Sequence, residues 1–244
     1  MQADTPILVA QGLHKRFGAL VVLDGVNLSI GEGEALGIVG PNGAGKTTLL
    51  SVLAGAQAPD AGSIRFKNDD VTTLGAPARC RRGLARTHQI PRPFSGMTVF
   101  ENVYVAASQA GGANGEAAYD IATDALAQCG MLRLANRPAE TLGLLARKRL
   151  ELARALATRP SLLLLDEIGG GLTNAEAGEL VDTIRELRRR GISIVWIEHI
   201  VHVLVQVAER LICMDAGRII ADGTPQRVLS DAGVVAAYLG GVPA

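Results

Sequence analysis

Short, unbroken apolar runs alternate along the chain with longer segments of helical period. Residues 34–39, 161–166 and 192–197 lack period-two alternation, which predicts strands buried on both faces. Residues 7–13 and 21–30 predict two more strands, with turns at Phe17-Gly18 and Gly31-Glu32-Gly33. Another strand is expected over 62–67, followed by Asn68, a residue type that accepts a left-handed turn. After the run at 34–39 a Gly-rich loop leads into a helix over 46–53. From about 92 to 158 the pattern becomes helical and Ala-rich. Thr98 and Glu101 have capping-box spacing, which starts a helix near Val99. Residues 108–115 read as a loop, 116–129 as a helix stopped by Gly130, and 147–157 as a helix halted before Pro160. Asn174 is expected to cap a helix whose inner positions are Leu180, Ile184 and Leu187, ending at Gly191. The alternation predicts one α/β core carrying a helical insertion, with no internal repeat and no low-complexity linker.

Composition narrows the class. A chain of 244 residues is long enough to bury a substantial core. Equal numbers of basic and acidic residues, 24 of each, give no global field for nucleic acid or anionic membrane. Arg79, Arg81, Arg82 and Arg86 form a local basic cluster that a solvated face or an interface would explain. The hydrophobic share is 48%, yet the longest suspicious run, 200–208, is broken by His202 and Gln206 and is too short to span a membrane. The first ten residues, MQADTPILVA, lack the basic start and apolar core of a signal peptide. Cys80, Cys129 and Cys213 are scattered, which argues against a disulfide framework or a CxxC metal site and suits a reducing compartment.

The strongest chemical signal is Gly40-Pro41-Asn42-Gly43-Ala44-Gly45-Lys46-Thr47, which matches G-x-x-x-x-G-K-[ST] between an apolar strand and a helix. The glycines let backbone N–H groups curl around phosphate oxygens, and the helix N-terminus adds its dipole. Lys46 brings positive charge to the β- and γ-phosphates, and the Thr47 hydroxyl is a ligand for Mg²⁺. A chance Gly-rich turn would not require strand, loop, lysine and helix in that order. Downstream, the apolar run Leu162–Leu165 ends in Asp166 and Glu167. Ligands of open α/β sheets sit at the carboxyl ends of strands, so Asp166 is expected to hold Mg²⁺. Neighbouring strand residues point oppositely, so Glu167 is expected to activate water instead.

With these motifs the chain resembles the nucleotide-binding subunit of ABC transporters over nearly its whole length. The resemblance implies a P-loop NTPase (RecA-like) α/β core, an N-terminal antiparallel β subdomain and an α-helical subdomain inserted at about 92–158, within one domain spanning 1–244. Phe17, in HKRFG, resembles the aromatic that stacks on adenine; an ordinary core phenylalanine is the plainer reading. Gln89, in RTHQIPRPF, resembles the glutamine that contacts Mg²⁺ and water, on a loop facing the membrane subunit. His199, in VWIEHI, resembles the histidine that contacts the γ-phosphate. Thr48 joins the phosphate-loop contacts. The implied ligands are ATP and Mg²⁺.

Counting back from Arg147-Lys148-Arg149-Leu150-Glu151 places the family's signature, usually LSGGQ, on Leu142-Gly143-Leu144-Leu145-Ala146. Only Leu142 agrees. Gly143 lacks the usual hydroxyl, Leu145 stands at a usual glycine, and Arg147 or Lys148 would remain to supply positive potential. Gly170-Gly171-Leu172-Thr173 replaces the usual SALD, with Thr173 for the aspartate. GGGLTNAE, QIPRPFSGMTVFENV, IEHIVHVL and AERLICMDAGRIIADGTP resemble the branch serving branched-chain amino acid importers. That branch implies integral-membrane permease subunits, a second, different ATPase subunit, an extracytoplasmic solute-binding protein and a position on the cytoplasmic face of the membrane, with no nucleic acid. Other readings stay open: an importer ATPase for urea, amides or another small solute, a non-transport ATPase of the same class, a P-loop small-molecule kinase, and an interaction subunit with little turnover.

Overall fold

The structure, a computed structural model, describes residues 6–239; residues 1–5, half of the segment read for a signal peptide, lie outside it. Two sheets form the framework. The first hairpin, β1 (Pro6–Phe17) and β2 (Leu20–Gly31), turns through Gly18. The strand β3 (Ala35–Val39) leads through the Gly-rich loop into α1 (Lys46–Leu53), as the apolar pattern predicted. β4 (Ala61–Phe66) and the short β5 (Asp69–Asp70) complete an antiparallel sheet of order β2-β1-β4-β5. Lys67 and Asn68, with φ of 51° and 68°, make the left-handed turn between them.

The second sheet was less legible. The helix α2 (Ala76–Arg81) and the three-residue β6 (Leu84–Arg86) carry too few residues for a periodic signal. Then come α3 (Val99–Gln109), α4 (Gly115–Gln128) and α5 (Leu144–Leu156). The Thr98–Glu101 capping box is present at the start of α3. The helix α5 begins three residues before the predicted Arg147, with Gly143 at its N-cap. β7 (Leu162–Asp166) is followed by α6 (Asn174–Arg189). Its cap is Thr173, not Asn174: the Thr173 side chain accepts from the Glu176 N–H, and Glu176 Oε2 accepts from the Thr173 N–H at 2.9 Å. A capping box needs its acid three residues on, and Glu176 satisfies that spacing for Thr173.

β8 (Ser193–Ile197), the one-turn α7 (Val201–Leu204), β9 (Arg210–Asp215), β10 (Arg218–Gly223), α8 (Pro225–Leu229) and α9 (Ala232–Leu239) finish the chain. The six-stranded sheet runs β10-β9-β3-β8-β7-β6 and is parallel except for β10. Its two faces bury different cores. In β7, Leu162 and Leu164 face α1 and the antiparallel sheet, whereas Leu163 and Leu165 face α3–α6. An uninterrupted leucine run is what a strand with two buried faces requires. No helix among the described residues is long and apolar enough to cross a membrane.

Candidate nucleotide site

The carboxyl ends of β3, β7 and β8 deliver the site. Residues 40–45 leave β3 as a tight loop whose backbone cannot tolerate side chains at two points. Gly40 has φ of 144°, and a Cβ there would sit 2.1 Å from the Met214 carbonyl oxygen. Gly45 has φ of 99°, and a Cβ there would sit 2.5 Å from the Val22 carbonyl oxygen. Lys46 is buried and donates from Nζ to the carbonyl oxygens of Gly40 and Pro41 at 2.7 and 2.8 Å. Its ammonium pKa is pushed down, first by burial, against the attraction of Glu167 and Asp166.

A groove of about 280 Å³ opens above this loop. Residues 42–48 line it together with Glu167, His199, Leu20 and Val22. Glu167 lies one residue beyond β7, in a left-handed conformation with φ of 47°. That conformation costs roughly 1–3 kcal/mol and persists only where the surroundings fix it. One carboxylate oxygen accepts from Gln89 Nε2 at 2.5 Å, and the other is 2.7 Å from His199 Nε2. Three residues that are far apart in sequence therefore meet beside the phosphate loop. The turn at Glu167, rather than strand alternation alone, separates it from Asp166.

Asp166 is 1% exposed. Its Oδ2 accepts from Arg86 Nη2 at 2.7 Å, while its buried Oδ1 has no protein partner. Arg86 also donates to Ser51 on α1 at 2.9 Å, tying the helix after the phosphate loop to the end of β7. The basic cluster is thus split: Arg81 and Arg82 are exposed, whereas Arg79 and Arg86 turn inward. Arg79 is fully buried and donates to the carbonyls of Val52, Leu53, Leu74 and Thr72. The orphan Oδ1 of Asp166, the Thr47 hydroxyl and the amide oxygen of Gln89 are hard oxygen donors, a set that fits Mg²⁺.

Phe17 stands apart from this cluster. It is 47% exposed, so it is not a core side chain, and it pairs across the hairpin with Leu20 at the groove edge. Pro41 contributes its carbonyl to Lys46. Leu142 is buried, whereas Gly143 and Leu144 are exposed at the start of α5 and do not line the groove. Lys148 does not face outward with Arg147. It is buried and reaches the Glu167 carbonyl oxygen at 3.4 Å, because it falls on the inner face of α5. Arg147 is folded onto the carbonyls of Leu142 and Glu140, at 2.8 and 2.9 Å.

Three participants were not found by motif. Arg86 sat in an apparently generic basic run. Glu198 carries no motif of its own; it is 2% exposed and accepts from the Gly169 N–H and from Trp196 Nε1. Tyr238 on α9 accepts at its hydroxyl from the Gly40 N–H at 2.8 Å. No local sequence signal links residue 238 to residue 40.

This fold and groove define a P-loop ATPase. Residues 23–169 match the ABC transporter family, and the chain belongs to its ATP-binding subunits, which hydrolyse ATP to drive transport and act with membrane permease components. Residues 218–244 match a second family description, branched-chain amino acid ATP-binding cassette transporter. Among curated relatives, the high-affinity branched-chain amino acid transport ATP-binding protein BraF of Pseudomonas aeruginosa is 35% identical, covering 96% of this chain and 98% of its own. The corresponding LivG protein of Escherichia coli is 36% identical with the same coverage. Among solved structures, a nucleotide-free ATP-binding cassette from an ABC transporter superposes with a TM-score of 0.89 at 31% identity, covering 96% of this chain and 99% of the other. An ATP-binding cassette in its ADP conformation gives 0.87 at 31% identity, covering 97% and 99%.

Proposed function

We propose that this chain powers an importer of branched-chain or similarly small amino acids by binding and hydrolysing ATP·Mg²⁺ at the groove above residues 40–48. The observation that carries this reading is the Glu167 carboxylate, held by Gln89 and His199 at the rim of a complete phosphate loop. Backbone N–H groups of the loop and Lys46 hold the phosphates. Thr47, Gln89 and Asp166 would hold Mg²⁺, which would supply positive charge against the phosphates. Glu167 takes a proton from the attacking water, Gln89 orients that water, and His199 contacts the γ-phosphate. Phe17, exposed at the hairpin end, stacks on adenine. The names of the curated relatives support amino acids as the transported class; urea, amides or another small solute is the second reading.

The chain acts as one domain over 1–244, with residues 92–158 as a helical insertion. It sits on the cytoplasmic face of the membrane against permease subunits. A groove of about 420 Å³, lined by Ala54, Pro77, Cys80, Leu84, His88 and Ala110 among others, runs beside β6 and suits a short apolar permease segment. Ile90 and Phe94, both exposed on the Gln89 loop, border the same region in sequence. An extracytoplasmic binding protein delivers solute to the permease, and no nucleic acid takes part. The second ATPase is a different chain, because Gly143–Ala146 cannot offer the signature hydroxyl. One site, using Lys46, Glu167 and His199, is then competent, and the opposite site is weak.

Glu167→Gln should lower single-turnover hydrolysis at least about a hundredfold while leaving ATP affinity within a few-fold. Lys46→Ala should weaken ATP binding itself. Near-normal turnover by Glu167→Gln would overturn the assignment of the base. Uptake of labelled leucine against labelled urea, in cells lacking the chain's gene and then complemented, separates the two solute readings.

A further inference from the structure

Glu198 is the most deeply buried acid that the proposed chemistry leaves without a task, apart from the Mg²⁺-site Asp166. It immediately follows β8 and precedes His199. Its Oε1 accepts the Gly169 N–H at 2.5 Å and the Trp196 indole N–H at 3.2 Å. Gly169 is two residues beyond Glu167. A Cβ at Gly169 would lie 2.8 Å from that same carboxylate oxygen, so the close approach depends on glycine. Lys148, buried on α5, donates to the Glu167 carbonyl oxygen and is drawn toward Glu198 by charge. The Glu167 N–H is held by the Ile197 carbonyl at 2.9 Å, on the strand that leads into Glu198. Besides Gln89 and His199 at the carboxylate and the Gly170 N–H at the carbonyl, the backbone of the left-handed Glu167 is thus held by the strand adjoining Glu198 and by the lysine that acid attracts.

We propose that Glu198 is a positioning residue for hydrolysis. It pins the 167–169 turn through the Gly169 N–H and, with Lys148, keeps the Glu167 carboxylate between Gln89 and His199. Lys148 joins the same turn to α5 through the Glu167 carbonyl oxygen. This rests on the reading of Glu167 as the base.

Single-turnover hydrolysis by the 244-residue chain assembled with its permease and second ATPase subunit, and the chain's own ATP affinity, test it. Glu198→Ala should lower the rate of hydrolysis by roughly tenfold to a hundredfold with Kd for ATP within about twofold, as expected for a misplaced base rather than a damaged binding loop. Glu198→Gln keeps a carbonyl oxygen for both donors and should recover to within about threefold of the parent rate. Gly169→Ala attacks the same contact from the other side and should reproduce the loss. The double variant Glu198→Ala with Gly169→Ala should be no slower than either alone, because one contact cannot be lost twice. Gly169→Ala also serves if Glu198→Ala does not fold. An unchanged rate in Glu198→Ala, a parallel loss of ATP affinity, no recovery in Glu198→Gln, or additive losses in the double variant would overturn the proposal. Glu167→Gln run alongside separates the two ideas: its normal turnover would remove the base assignment, whereas its inactivity beside a normal Glu198→Ala would remove only the role of Glu198.

Discussion

Arg79 shows how far a residue's setting can depart from what its neighbours in sequence suggest. Arg81 and Arg82 beside it are at the surface, yet Arg79 is fully buried and spans four backbone carbonyls. Two of those carbonyls, Val52 and Leu53, end α1, where the helix leaves oxygens unpaired and the dipole favours a cation. Burial pushes the guanidinium pKa down, against the pull of Asp70, and the four carbonyls solvate the charge in place of water. Arg79→Leu should therefore destabilise the chain by about 3 kcal/mol, lowering the melting temperature by roughly 6–12 °C. Thermal denaturation followed by circular dichroism reads this directly, and an unchanged melting temperature would mean the four carbonyls find water instead. Buried thiols carry the same lesson in reverse: Cys129 is pushed up to about 12 by burial, so it packs as an apolar group and does not react.

At the scale of elements, the ends of helices decide the chemistry. The helix α5 begins at Gly143 with ordinary extended dihedrals, φ of −69° and ψ of 172°, and no side-chain cap. Open space surrounds the position a Cβ would take there. Gly143→Ser is therefore tolerated by the fold and should stabilise α5 by only a few tenths of a kcal/mol. Its functional effect should appear together with Leu145→Gly, which clears the approach to the helix N-terminus. The double variant should raise ATP-dependent self-association and turnover at least about tenfold, measured by sedimentation and phosphate release. No gain would show that the weak signature is not what limits the second site. The last helix, α9, contributes at a distance. Its Tyr238 hydroxyl accepts from the Gly40 N–H at the root of the phosphate loop. Tyr238→Phe removes that acceptor and should weaken ATP binding about two- to tenfold, read by titration with a fluorescent nucleotide.

For the whole molecule, the parallel sheet acts as a partition. One face carries α1 and the antiparallel sheet, and the other carries α3–α6. The nucleotide groove opens where β3, β7 and β8 end, so one sheet edge gathers Lys46, Asp166, Glu167 and His199. Gly143, at the start of α5, is exposed and does not line the groove. The asymmetric arrangement proposed above predicts that two copies of this chain do not close on ATP as a pair. The Glu167→Gln variant, purified alone at micromolar concentration with ATP, should remain monomeric in sedimentation. A tight symmetric dimer would overturn the asymmetric arrangement.

The sequence by itself determined the parts whose physics is local. The loop 40–47 needs glycines at fixed spacing, β7 and β8 need two buried faces, and the Thr98 cap needs an acid three residues on; each leaves its mark in a handful of neighbouring residues. The exact start of α5 and the true cap of α6 were missed by one to three residues, because terminal turns are set by competing hydrogen bonds rather than by period. Only the tertiary structure decided which of the four clustered arginines is buried, that Arg86 holds Asp166, and that Glu198, Lys148 and Gly169 converge behind Glu167. Those contacts join residues up to 80 positions apart, and they depend on close approach and burial. A side chain's type says what it can bind, but the packing around it decides what it does bind.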